Sequence, residues 1–173
     1  MKQEQDKRRT SLQKENHFLS GVSDSLSFVT KWNQLEDYVD NMLSDTQQNA
    51  IDILIRISQQ LKNHQEFHYT NFHGEREGFK KICDDDLRKR VQFASEKISL
   101  NFVLGQQQHI YRQDISCEFV ARSYARRMLD LHNPKIYPPK SLSFYTLYQF
   151  MFEDFILGIS NQDGLRHFEE MSH

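Results

Sequence analysis

The sequence predicts an all-α fold, a bundle of amphipathic helices, and three observations carry that prediction. Helix breakers are scarce, with six glycines and three prolines in 173 residues, while the helix formers Gln, Leu, Lys, Arg and Glu are plentiful. Apolar residues recur three and four positions apart through most of the chain, the spacing that gathers side chains on one face of a helix. No segment shows strand-like alternation closed by hairpin turns, and no internal repeat of fixed period is visible.

Taken in order, residues 31–44 place Trp32, Leu35, Val39 and Leu43 at helical spacing and predict an amphipathic helix. In residues 47–61 the same spacing joins Ala50, Ile53, Leu54, Ile57 and Leu61, with Ile51 and Ile55 widening the apolar face. Asp45, with Gln48 three residues on, predicts a capping box at the start of this helix, whose end falls near Asn63. Residues 64–74 are short, aromatic and His-rich and read as a connector over the core. A long pattern then covers residues 75–107, where Phe79, Cys83, Leu87, Val91, Ala94, Ile98 and Phe102 form a nearly continuous seam, with Gly78 and Gly105 near its ends. A helix of that length is a rod of roughly 45–50 Å.

Asp114 and Ser116 offer N-caps for the next helix, whose apolar face is Val120, Ala121, Tyr124, Ala125, Met128 and Leu131. The following NPKIYPPKS cannot continue a helix, because each proline removes an amide donor and restricts the residue before it. Ser143 caps a final long helix carrying Phe144, Leu147, Tyr148, Met151, Phe155 and Ile159, with Gly158 and Gly164 marking its end.

The length suits one compact domain with a sizeable core of its own. With 22 basic and 24 acidic residues the net charge is -2, which offers no global basic field for nucleic acid or an anionic membrane. Cys83 and Cys117 show no metal-like spacing and read as small buried apolar residues in a reducing cytoplasm. No stretch reaches the roughly 18 apolar residues of a membrane span, and MKQEQDKRR has no apolar stretch for a signal peptide. A cytoplasmic protein without membrane contact is expected.

Between Tyr111 and Met171 the sequence resembles the end of TetR/AcrR-type transcriptional regulators. The resemblance lies in the order and spacing of Tyr111-Arg112-x-Asp114-Ile115, the Tyr137-Pro138-Pro139 loop, Phe155-x-x-Gly158-Ile159 and Gly164-Leu165. It implies a fold like the TetR-type regulatory domain, no enzymatic activity, no cofactor, and a small apolar effector held between the central helices. Ile53, Ile57, Phe67, Tyr69, Phe72, Phe79 and Val91 would bound that pocket; an ordinary core is the other reading of the same residues. The resemblance also implies a homodimer built on the last two long helices, with Tyr124, Met128, Leu147, Phe150, Met151 and Phe155 at the interface. The aromatic surplus of the final helix, Phe144, Tyr145, Tyr148, Phe150, Phe152 and Phe155, exceeds the single stripe that one core face needs and points to a second buried face.

The amino-terminal part departs from the family pattern. Such a regulator begins with a three-helix DNA-binding unit, but MKQEQDKRR precedes Thr10 with no apolar residue beyond Met1, so an incomplete or degenerate helix-turn-helix is expected. Gly21-Val22-Ser23, Ser25-Leu26-Ser27-Phe28-Val29 and Trp32 echo its later part. The expected organisation is a polar tail and reader remnant over residues 1–31 and an effector-binding, dimerising domain over residues 32–173. Lys7, Arg8, Arg9 and Lys14 could touch phosphates, although Glu4, Asp6 and Glu15 thin the patch, so DNA remains an open partner.

The alternative reading is a helical small-molecule or metal-binding protein that shares the sensor fold without binding DNA. His64 and His68, four apart with Glu66 between them and His73 beyond, could share a metal if they lie on a helix. No phosphate loop, Gly-x-Ser-x-Gly elbow or Cys-x-x-Cys pair is present. Asp84-Asp85-Asp86 lies within the long helical pattern and reads as a water-facing run.

Overall fold

A computed structural model describes residues 30, 32–63, 77–131, 135–138 and 143–171, with the side chains of the long helix described from residue 88 onward. The chain divides into two compact units, residues 1–37 and 38–173. In the first, residues 32–37 are helical and the Trp32 indole donates to the Glu36 carboxylate one turn on. The reader remnant expected before Thr30 and the basic patch at Lys7, Arg8, Arg9 and Lys14 lie outside the described residues.

The second unit is all helical, with no strand among the described residues. It begins with helical residues 38–44 (α1) and continues through α2 (Ala50–Asn63), α3 (Glu77–Gln107), α4 (Cys117–Leu131), α5 (Phe144–Ile159) and α6 (Gln162–Met171). Helix α4 runs back along α3, and α2, α4 and α5 share one core. Ala50, Ile51, Ile53, Phe102 and Ile156 are fully buried in it, a concentration of apolar surface that drives the bundle together. In α1, Val39 is buried and Leu43 packs against the same core, while Asp40 pairs with Lys97 of α3 at 2.5 Å. Among the described residues no helix is long and apolar enough to cross a membrane.

The helix ends show which local signals act. Ser143 caps α5 by accepting from the Thr146 amide at 3.1 Å, as its position predicts. Ser116 caps α4 by accepting from the Phe119 amide at 3.0 Å. Asp114, the other candidate cap, pairs with Arg112 through two bonds, and these hold its carboxyl below the usual carboxylate range. The Asp45–Gln48 pair forms but closes the turn before α2; Asn49 is the residue that caps α2, accepting from the Ile51 amide at 2.9 Å. Gly158 and Gly164 do not jointly end the last helix. Gly158 lies inside α5, and Asn161 opens a separate helix, α6, by accepting from the amides of Asp163 and Gly164.

Among the described residues, the most heavily cross-bonded part of the unit is a joint where the end of α3, the loop 108–116, the end of α5 and the start of α6 meet. Helix α3 closes with the Ile110 amide bonded to the Gly105 carbonyl and the His109 amide to that of Gln106, around His109 at φ 57°. Tyr111 then turns inward, stacks on Phe102 at 5.7 Å and donates its hydroxyl to Asn101 Oδ1 at 3.1 Å. Asn101 Nδ2 donates in turn to the Ala50 carbonyl at 2.8 Å. Gln108 clamps the start of α2 from both sides, accepting from the Ala50 amide and donating to the Gln48 carbonyl. Two backbone bonds, Arg112 amide to Ile159 carbonyl and Asn161 amide to Ile110 carbonyl, join the loop to the α5–α6 corner. At the far side of α6, His167 bonds to Asp52 of α2 at 2.7 Å.

Two glycines let these pieces approach. A Cβ on Gly105 would run into the Tyr111 ring, and one on Gly164 would run into the backbone carbonyl of Ile110. The landmarks Tyr111, Arg112, Asp114, Gly158 and Gly164 thus all lie in or beside one structural joint.

Candidate ligand site between the helices

Away from the joint, α5 turns a ladder of aromatic rings inward. Phe144, Tyr148 and Phe152 recur four residues apart, so they stand one above another on a helix, and successive rings stack at 6.3 Å with interplanar angles of 14° and 20°. From α4, Tyr124 meets Phe155 edge to face at 5.0 Å and 60°. Tyr124 and Tyr148 are 7% and 3% exposed, so both phenols sit inside the bundle.

Their hydroxyls are linked. Tyr148 is hydrogen-bonded both to Ser58 of α2 and to Tyr124. Burial pushes the Tyr148 phenol well above its ordinary value, and burial pushes Tyr124 up to about 12. The contact with Ser58 partly offsets that rise at Tyr148, and the contact with Tyr148 partly offsets it at Tyr124. Ile57 of α2, Met128 of α4 and Leu147 of α5 are half-buried against the same core. This is an apolar, aromatic interior with a short line of neutral hydroxyls, the composition of sites that hold small organic molecules by shape and one or two polar contacts.

The expected pocket residues divide. Ile53 is fully buried and belongs to the core, Ile57 is half-buried beside Ser58, and Val91 is buried in α3. Phe67, Tyr69 and Phe72 lie outside the described residues, as does the side chain of Phe79. The hydroxyl chain escaped the sequence reading. Its signal was a serine on the apolar face of α2 and two tyrosines at inward positions of α4 and α5, which periodicity treats as plain core.

The residues expected at the dimer interface divide as well. Tyr124, Met151 and Phe155 are buried within the chain's own core and have little surface left for a partner. Met128 and Leu147 also pack inward, half-buried. Of the six, Phe150 alone is turned outward, 62% exposed. The structure adds two residues that the sequence reading passed over on α4 and α5, Phe119 at 65% and Leu157 at 53%. Leu157 lies two turns after Phe150 and so shares its face. Phe119 sits among charges on α4, where no apolar stripe flags it.

Other chemistry is thin. His64, His68, Glu66 and His73 lie outside the described residues, and so do the side chains of Cys83 and Asp84-Asp85-Asp86. Among the described residues no group of three or more His, Cys, Asp or Glu could hold a metal ion. Cys117 is a free thiol, half-buried against the core with Sγ 3.5 Å from the Ser99 carbonyl, which fits its reading as a small packing residue. No family model, no curated protein and no solved structure matches the chain.

Proposed function

We propose that the chain is a non-enzymatic, effector-sensing and self-associating regulator of the TetR type, with a shortened DNA reader. The observation that carries this reading is the two-faced character of α4 and α5. Their inner faces hold the aromatic ladder and the hydroxyl chain, while their outer faces leave Phe119, Phe150 and Leu157 exposed. Single exposed apolar residues are ordinary; three large ones on two adjacent helices are the beginnings of an interface core.

The charges on the same faces fit a second copy better than nucleic acid. Arg122 pairs with Glu118 at 2.7 Å, Arg126 with Asp130 at 3.1 Å, and Arg127 with Asp154 across the two helices. Exposed pairs of this kind add little stability, but they leave the surface balanced in sign, as a self-complementary twofold contact requires. An effector held between α2, α4 and α5 would act by binding one arrangement of these helices better than another and so shifting the population of dimer states.

Sedimentation velocity at tens of micromolar tests the reading. The expected result is a dimer that becomes a folded monomer in the Phe150→Asp, Leu157→Asp double variant. A wild-type chain that sediments as a monomer at that concentration would overturn the self-association it requires.

A further inference from the structure

Resting on that self-associating reading, we infer that the second copy seats its α5 on α4 and its α4 on α5, with Arg126 of each protomer facing Glu153 of the other. A twofold contact across the α4–α5 face can be made in two ways. Each helix meets its own copy, or each meets the other helix of the second protomer. The charges distinguish them. Helix α5 carries Glu153 and Asp154 and no basic residue from Phe144 to Ile159, so α5 against its own copy gathers carboxylates, an unfavourable meeting of like charges. Helix α4 carries Arg122, Arg126 and Arg127 and can supply the cations that α5 lacks.

Within the chain these charges are not equally committed. Arg127 already pairs with Asp154 across the seam between the two helices. Glu153 pairs with no cation among the described residues and accepts from the Gln149 side chain at 2.9 Å. Arg126 is held only by Asp130, one turn along the same helix, with its side chain 72% exposed; a pair of that kind is weak and can be exchanged for one better shielded from water. The shielding is at hand. Arg126 shares the outward stripe of Phe119, two turns before it, and Glu153 lies one turn from both Phe150 and Leu157. The register agrees as well. Helices α4 and α5 run antiparallel, with Tyr124 beside Phe155 and Arg127 beside Asp154, which places Arg126 and Glu153 within about 3 Å of the same height along the bundle. A twofold axis parallel to the helices leaves heights unchanged, so it brings each Arg126 opposite the other protomer's Glu153, twice per dimer.

The test is charge reversal in the full chain, with dimer dissociation constants measured by sedimentation equilibrium. Arg126→Glu and Glu153→Arg should each weaken the dimer by roughly tenfold or more, because each sets like charges opposite one another at two places. An equimolar mixture of the two variants should recover wild-type affinity, since the mixed dimer restores both pairs with their signs exchanged. The double variant Arg126→Glu, Glu153→Arg should recover it for the same reason. A dimer indifferent to Arg126→Glu, or weakened variants that do not rescue one another, overturns the inference and leaves self-association intact. A wild-type chain that stays monomeric at tens of micromolar overturns both. Should either reversal not fold by circular dichroism, Arg126→Ala, Glu153→Ala and the double alanine variant decide. Their dissociation constants should show coupling of about fivefold between the two positions, and strictly additive effects overturn the pairing.

Discussion

The joint and the interior of the same bundle use buried tyrosine in opposite ways. At the joint, Tyr111 is fully buried with its hydroxyl donated to Asn101, which in turn donates to the Ala50 carbonyl, so the phenol is one link in a tie between segments far apart in sequence. In the interior, Tyr148 and Tyr124 are nearly as buried, yet their phenols are joined to each other and to the Ser58 side chain. Most polar groups at the joint are spent on one another; Ser160 Oγ is the exception among the described residues. Satisfied polar networks rigidify a fold. The joint is therefore read as scaffold, and the apolar, aromatic interior is the candidate site by its composition, although the landmarks of the sequence cluster at the joint.

The largest expected effect is alkaline, and it touches both regions. A phenol whose folded value is raised contributes stability that is fully present below its unfolded value and is lost as pH rises toward the folded one. For Tyr124 that window runs from 10.0 to about 12, and across it the loss is on the order of 3 kcal/mol. Tyr111 and Tyr148, raised by burial in the same direction, steepen the fall. Urea midpoints measured from pH 8 to 12 should decline sharply above pH 10, and less sharply in Tyr111→Phe or Tyr124→Phe. A flat profile would show that these phenols are not buried.

Glycine substitutions break the joint specifically. Gly164→Ala drives a methyl group into the Ile110 carbonyl, a backbone atom that cannot swing aside, and should cost about 2–3 kcal/mol. Gly158, also helical, has open space at the same position, so Gly158→Ala should instead gain up to about 1 kcal/mol from helix propensity alone. Urea unfolding followed by circular dichroism reads both, and equal effects at the two glycines would contradict the close approach of α6 to the loop.

The sharpest comparison is also the smallest. Tyr111→Phe strands the Asn101 oxygen in the core and should cost about 1–2 kcal/mol. Tyr124→Phe removes a bond between two side-chain hydroxyls and leaves no amide oxygen stranded, so it should cost less, about 0.5–1 kcal/mol. If the two substitutions cost the same at neutral pH, the distinction between scaffold and site fails.

How much of this was legible follows from the range of each interaction. The long α3, the cap at Ser143 and the start of α4 could be read because their causes lie within a turn of helix. The six interface residues could not be sorted. Helix α5 is apolar at most positions from Phe144 to Ile159, so periodicity does not say that Phe155 faces inward and Phe150 outward. Helix α6 was missed because Gly158 and Gly164 read as terminators, whereas one is an exposed helical residue and the other a point of close contact.

The sequence by itself determined that this chain is helical, where several of its helices begin and which residues are apolar enough to be buried, because propensity, capping and hydrophobicity act locally. The tertiary structure decided which aromatic face of α4 and α5 looks inward, and that Tyr111 and Tyr124, alike as residues, serve different ends. Those outcomes depend on partners such as Ala50 and Asn101, 51 residues apart, or Gln48 and Gln108, 60 apart. No local pattern encodes such a pairing; it exists only once the chain has closed on itself.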